Sequence, residues 1–238
     1  MKLRNILIVT LVIFSCNNQH LYSADTDSTI IVENSKIFVE IEKRGGQFID
    51  IHLKTNPVNP LTWKLEVDQM PKHAHENAQY KGHFLCMGNI GKPSKEEINA
   101  GVVMRGEQTG KIWSVEREND QKLLMESSSP TDGLEVSRIL EIHESESQFL
   151  VVESFKNNTA NGRATNVLQH VTIGPPFLNE NTLINTNARS GFYFKYEYPD
   201  PHKYEYDFPF AVMDTISNET VDLRSVSVTL NYLSRHIG

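Results

Sequence analysis

The stretch "GLEVSRILEIHE", residues 133–144, alternates with a period of two. Leu134, Val136, Leu140 and Ile142 fall on one face; Glu135, Ser137, Glu141 and His143 fall mostly on the other. Successive side chains of a strand point to opposite faces, so this pattern predicts a half-buried β-strand. The segments around it read the same way. "KIWSVE" (111–116) and "KLLMESS" (122–128) precede it as strands on either side of "RENDQ". "SQFLVVESF" (147–155) follows, then "NNTANGR" (157–163), read as a hairpin turn into "ATNVLQHVTIG" (164–174).

Upstream, residues 29–55 hold three short β-rich runs, with turns at Glu33-Asn34-Ser35 and Arg44-Gly45-Gly46. Val39, Ile41, Phe48, Ile49, Ile51 and Leu53 largely alternate with polar residues. Residues 55–62 ("TNPVNPLT") are proline punctuation, "WKLEV" (63–67) a further short strand, and residues 68–83 a loop. "PSKEEIN" predicts one short helix, with Ser94 and Glu97 in capping-box spacing. Residues 192–206 are crowded with aromatic side chains, and "SVSVTLNYL" (225–233) reads as a last strand. At least ten strands with little helix predict an all-β sandwich or barrel.

The net charge, 23 − 30 = −7, argues against nucleic acid as partner, because phosphate binding needs a concentrated basic surface. The N-terminus reads as a targeting segment. Lys2 and Arg4 precede an apolar run from Ile6 to Phe14, too short for a mature transmembrane helix. Ile13-Phe14-Ser15-Cys16 is similar to the lipobox of bacterial lipoproteins, with Phe14 larger than usual. That predicts cleavage before Cys16, lipidation of its thiol, and a periplasmic or outer-membrane lipoprotein held at a membrane by its lipid alone. The competing reading is an ordinary signal peptide cut near Ala24. The resulting organisation is a signal peptide over residues 1–16, a polar tether over 17–28 and a single domain over 29–238. Cys86 is then a lone thiol, whose commoner role is packing. His73 and His75 have no third ligand of matching spacing nearby, so no metal site is expected, and no cofactor motif occurs.

His170, inside "NVLQHVTIGPPFLN" (166–179), is the residue on which function turns. On pattern alone it sits in a buried strand and reads as a core histidine with a satisfied hydrogen bond.

Five phrases in order carry a resemblance: "GGQFIDIHL", "NPLTW", "GHFLCMGNIGKPSKEEINAGVVMRGE", "VLQHVTIGPPFL" and "TLINTNA". Together, over residues 37–187, they resemble the galactose mutarotase-like family, the aldose 1-epimerases. The resemblance implies an antiparallel β-supersandwich with a sugar site across one sheet. It also implies a chemistry: a glutamate takes the anomeric proton while a histidine protonates the ring oxygen. His170 stands where the acid histidine would be. Arg105 in "MRGE" stands where the family has a second histidine; arginine cannot act as an acid near neutral pH, but it can donate to sugar hydroxyls. Glu107 would orient Arg105 or accept from the sugar, and aromatics near Tyr193 would stack on the ring. The family's base glutamate should follow further strands, whereas this sequence ends at Gly238; neither Glu219 nor Asp222 takes that role. Three expectations therefore stand: an aldose epimerase, a sugar-binding protein without turnover, or a fragment lacking its last strands.

Overall fold

The computed structural model describes residues 29–162, 164–187 and 189–191, and the short pieces 208–209, 212–214, 220–222 and 224–225. The targeting segment with Cys16, the tether, Tyr193 and the aromatic run, Glu219, and the last expected strand beyond Ser225 lie outside the described residues.

Two antiparallel sheets form the structure. The first has the order β1 (Thr29–Glu33), β2 (Ile37–Glu42), β3 (Gln47–Leu53), β4 (His83–Gly88), β9 (Asn166–Val171). The second runs β5 (Ser114–Asn119), β6 (Lys122–Ser129), β7 (Leu134–Ile142), β8 (Phe149–Asn157). Short segments pair as Ser190–Gly191 with Phe208–Pro209 and as Val212–Asp214 with Thr220–Asp222. The all-β expectation holds.

Alternation decides what is buried. In β7, Leu134, Val136, Leu140 and Ile142 are buried, and in β2, Ile37, Val39 and Ile41. These faces meet in one core with Phe48, Leu85, Met87, Trp113, Leu123 and Met125, which makes the two sheets a sandwich. Arg138 is also on the buried face of β7, 1% exposed. Its guanidinium lies 4.6 Å from the Trp113 ring and 5.1 Å from Phe48. It donates to Glu153 at 2.7 Å and to the Gly46 carbonyl.

Both early turns form. Asn34 Oδ1 accepts from the Lys36 and Ile37 amides at 2.7 and 2.9 Å, an Asx turn between β1 and β2. Gly46 holds φ +59°, and a Cβ there would stand 2.7 Å from the Trp113 ring, so only glycine fits. The helix α1 (Lys95–Asn99) starts at its capping box: Ser94 Oγ accepts from the Glu97 amide, and Glu97 Oε2 accepts from the Ser94 amide at 2.7 Å.

Three expectations need correction. Residues 63–67 do not form a strand; they share only an isolated bridge, Lys64 with Lys81, before a 3-10 turn at Val67–Gln69. Trp63 and Leu65 instead pack on Tyr80, Phe84 and Cys86, covering the face of the first sheet that points away from the sandwich core. Residues 157–163 are not a hairpin turn: β8 belongs to the second sheet and β9 to the first, so this is a crossing between sheets. Nor is β9 buried, since Val167, Leu168 and Val171 are all more than two-fifths exposed. Among the described residues β9 pairs only with β4, at the edge of its sheet.

Candidate functional site

His170 lies directly opposite Phe84 in the β4–β9 register. Cross-strand partners share a face, and Phe84 points away from the sandwich core, so His170 does too. The two rings stack with centroids 4.5 Å apart and 14° between planes. Phe84 in turn stacks on Tyr80 at 5.0 Å and 5°. Trp63 flanks His170 from the covering segment, at 6.4 Å. Gly174, in the turn after β9, sits against this segment: its amide donates to the Pro60 carbonyl at 2.8 Å, and a Cβ there would run into Thr62 and the Trp63 amide. Pro175 follows, its carbonyl accepting from Thr62 Oγ1 at 2.6 Å, and its bond to Pro176 is cis.

Arg105 comes to the same place from the loop after α1. Its guanidinium carbon is 4.4 Å from the Tyr80 centroid and 5.5 Å from that of Phe84. Cation–π attraction of this kind holds an arginine over a ring pair. Arg105 has φ +67°, the described non-glycine residue with a left-handed backbone. That conformation costs about 1–2 kcal/mol for an L-residue. The turn is fixed by Gln108, whose Nε2 donates to the Leu85 and Arg105 carbonyls at 3.1 and 2.9 Å.

Two buried nitrogens at this spot lack a hydrogen-bond partner: Nε of Arg105 and Nδ1 of His170. His170 is therefore not the satisfied core histidine that its pattern suggested. Burial first, and the Arg105 charge second, hold its imidazole below the ordinary histidine range. At pH 7 it is a neutral ring, suited to hydrogen bonding more than to proton donation. Burial pushes Tyr80 up to about 12 and the buried Cys86 thiol up to about 11, so neither ionises near neutrality.

Glu107 does not join this pair. Its Oε2 accepts from the Thr131 amide at 2.9 Å and faces Ser129 Oγ, and Ser129 donates to Asp132 at 2.7 Å. The carboxylate thus fixes the turn between β6 and β7. Asp222 is held well below the carboxylate range, to about 2, chiefly by its bonds from Arg224. Among the described residues, no carboxylate bonds to His170 or Arg105, and no group of three or more His, Cys, Asp or Glu could hold a metal.

Behind the site, on the core side of the same strands, a directed chain ties the sheets together. Arg138 donates to Glu153, and Gln169 Nε2 donates to the same carboxylate. Gln169 Oε1 then accepts from His83 Nε2 at 2.8 Å, which fixes the histidine tautomer. This anchors β9, and so His170, to β8. A groove of about 560 Å³ lies at the Gly88–Asn166 end of the β4–β9 pair, lined by Gly88–Gly91, Thr131, Asp132 and Asn166 among others. Asn166 is four residues from His170, about 13 Å along a strand.

Sequence reasoning missed Tyr80, Phe84 and Trp63, the rings that seat Arg105 and His170. The usable signal was parity: Phe84 and Cys86 alternate with Leu85 and Met87, so "HFLCM" has two buried faces rather than one.

Comparison with known proteins adds little beyond outline. No protein-family model and no curated protein matches the chain. A galactose mutarotase-like protein from Lactobacillus casei is similar in structure, with 14% identity and a TM-score of 0.42, over 56% of this chain and 46% of that one. A 4-alpha-glucanotransferase from Thermococcus litoralis is similar at 16% identity and a TM-score of 0.33, over 54% of this chain and 22% of that one. The chain thus spans less than half the length of either protein.

Proposed function

We propose that this chain is an aldose 1-epimerase-like, carbohydrate-binding protein whose sugar site is built on Arg105 and His170. One observation carries the reading. Two polar side chains, both half-buried, are seated side by side on buried rings, and each keeps a nitrogen without a protein partner. Leaving such groups unpaired costs about 1–3 kcal/mol each, and binding sites commonly combine a few convergent polar groups with an aromatic lining. The ordered phrases from residue 37 to 187 support the same reading. His170 meets the ring oxygen or a hydroxyl, and Arg105 donates to neighbouring hydroxyls.

Binding without efficient turnover is the second reading. It is favoured by the lowered pKa of His170, which leaves little protonated acid at pH 7. Polarimetry of freshly dissolved α-D-glucose and α-D-galactose separates the two. Faster decay of rotation, lost in His170→Ala, supports epimerase activity. Binding with an unchanged rate supports the second reading.

Export and lipid attachment at Cys16 belong to the same proposal, supported by the order of basic, apolar and Cys residues at the N-terminus. Incorporation of labelled palmitate that disappears in Cys16→Ser tests it.

A further inference from the structure

Two arginines of this chain lie on aromatic pairs in nearly the same way. Arg138 is 4.6 and 5.1 Å from Trp113 and Phe48; Arg105 is 4.4 and 5.5 Å from Tyr80 and Phe84. Arg138 is completed by the Glu153 carboxylate and the Gly46 carbonyl. Arg105 has no such completion: among the described residues its side chain forms neither an ion pair nor a hydrogen bond, and its Nε is buried. The side chain as a whole is half-buried, so an incoming anion can reach its Nη end while the buried, unpaired Nε stays unfavourable until an acceptor meets it. The planar fork of the guanidinium matches carboxylate and phosphate oxygens in a two-pronged geometry that a neutral hydroxyl cannot offer. Arg105 also holds a left-handed backbone, a strained conformation of the kind that clusters at ligand-binding sites.

We infer that the ligand of this site is an anionic sugar, a hexuronate or a sugar phosphate, whose acid group pairs with Arg105 as Glu153 pairs with Arg138. His170, half-buried beside Arg105 on the same rings, then faces a hydroxyl or the ring oxygen of the attached sugar. This inference rests on the sugar-site reading above and names the class of sugar.

The test is titration calorimetry of the full chain at pH 7 and low salt. The probes are D-glucuronate, D-galacturonate, glucose 6-phosphate, galactose 6-phosphate, glucose, galactose and inorganic phosphate. The expected result is binding of at least one acidic sugar at least ten-fold tighter than its neutral parent, with the preference lost in Arg105→Gln and partly kept in Arg105→Lys. Whichever acid binds more tightly identifies carboxylate or phosphate as the recognised group. Thermal melts of both variants show that they are folded. Equal binding of acidic and neutral sugars, or a preference that survives Arg105→Gln, overturns the inference and leaves the sugar site standing. Inorganic phosphate binding as tightly as the sugar phosphates overturns it too, since the sugar then contributes nothing. If none of the sugars binds, the sugar-site reading itself fails and the inference goes with it.

Discussion

His170 lies flat against Phe84, its direct partner across the β4–β9 pair, with ring centroids 4.5 Å apart. The imidazole is thereby fixed in orientation and partly desolvated, while β9 presents it at the surface of the sheet. Phe84 is 1% exposed, so it acts as a seat and not as a contact for the ligand. Phe84→Ala leaves a cavity beneath His170 and Arg105 at once, and should cost about 3–5 kcal/mol in urea unfolding.

Arg105 couples strain to function. Arg105→Gly removes the left-handed penalty at φ +67° and the unpaired buried Nε. Stability should rise by about 1 kcal/mol while ligand affinity falls. A variant that loses stability and affinity together would make Arg105 a packing residue.

The staple behind the site should behave as a buried ion pair. Arg138 and Glu153 are 1% and 8% exposed at their side chains. Glu153→Ala strands the guanidinium in the core and should cost about 3–5 kcal/mol, whereas Arg138→Met with Glu153→Leu should recover most of that loss. Chemical unfolding of the single and double variants checks both statements.

Gly46→Ala should cost more than about 2 kcal/mol. The new methyl would stand 2.7 Å from Trp113, one wall of the Arg138 cage, at a φ that alanine avoids. A melting temperature within a degree of the parent would contradict the tight turn described above.

Stability should fall in mild acid. His83 and His170 are both held below the ordinary value of 6.5, His83 mainly by burial and His170 by burial and then Arg105. The unfolded chain therefore takes up protons before the folded one does. Stability is complete above pH 6.5 and is lost as the pH falls from there towards the lower folded-state values. The urea midpoint should drop between pH 7.5 and 5.5, and the drop should shrink in His83→Gln and His170→Gln.

Much of the fold was legible because one face of most strands is buried. The period of two in Leu134, Val136, Leu140 and Ile142 is a direct consequence of the pleat. Arg138 broke the pattern invisibly: its parity places it inside, but its cage of Trp113, Phe48 and Glu153 comes from three distant strands and loops. The crossing after β8 was misread because "NNTANGR" has turn chemistry, and turn chemistry does not say which sheet comes next. The site was half legible. Proximity of Arg105 and His170 followed from the resemblance alone. The placement of Glu107 was hidden because Ser129 and Thr131, which engage it, lie 22 and 24 residues downstream.

The most direct test of the sugar site is the imidazole signal of His170 in two-dimensional NMR, followed as glucose, galactose, their uronates and their 6-phosphates are added, with His170→Ala identifying the resonance. The account predicts a saturable shift of this one ring with at least one sugar, and no comparable shift at His52 or His143. A His170 signal unmoved by every sugar, or moved only in step with the other histidines, would contradict it.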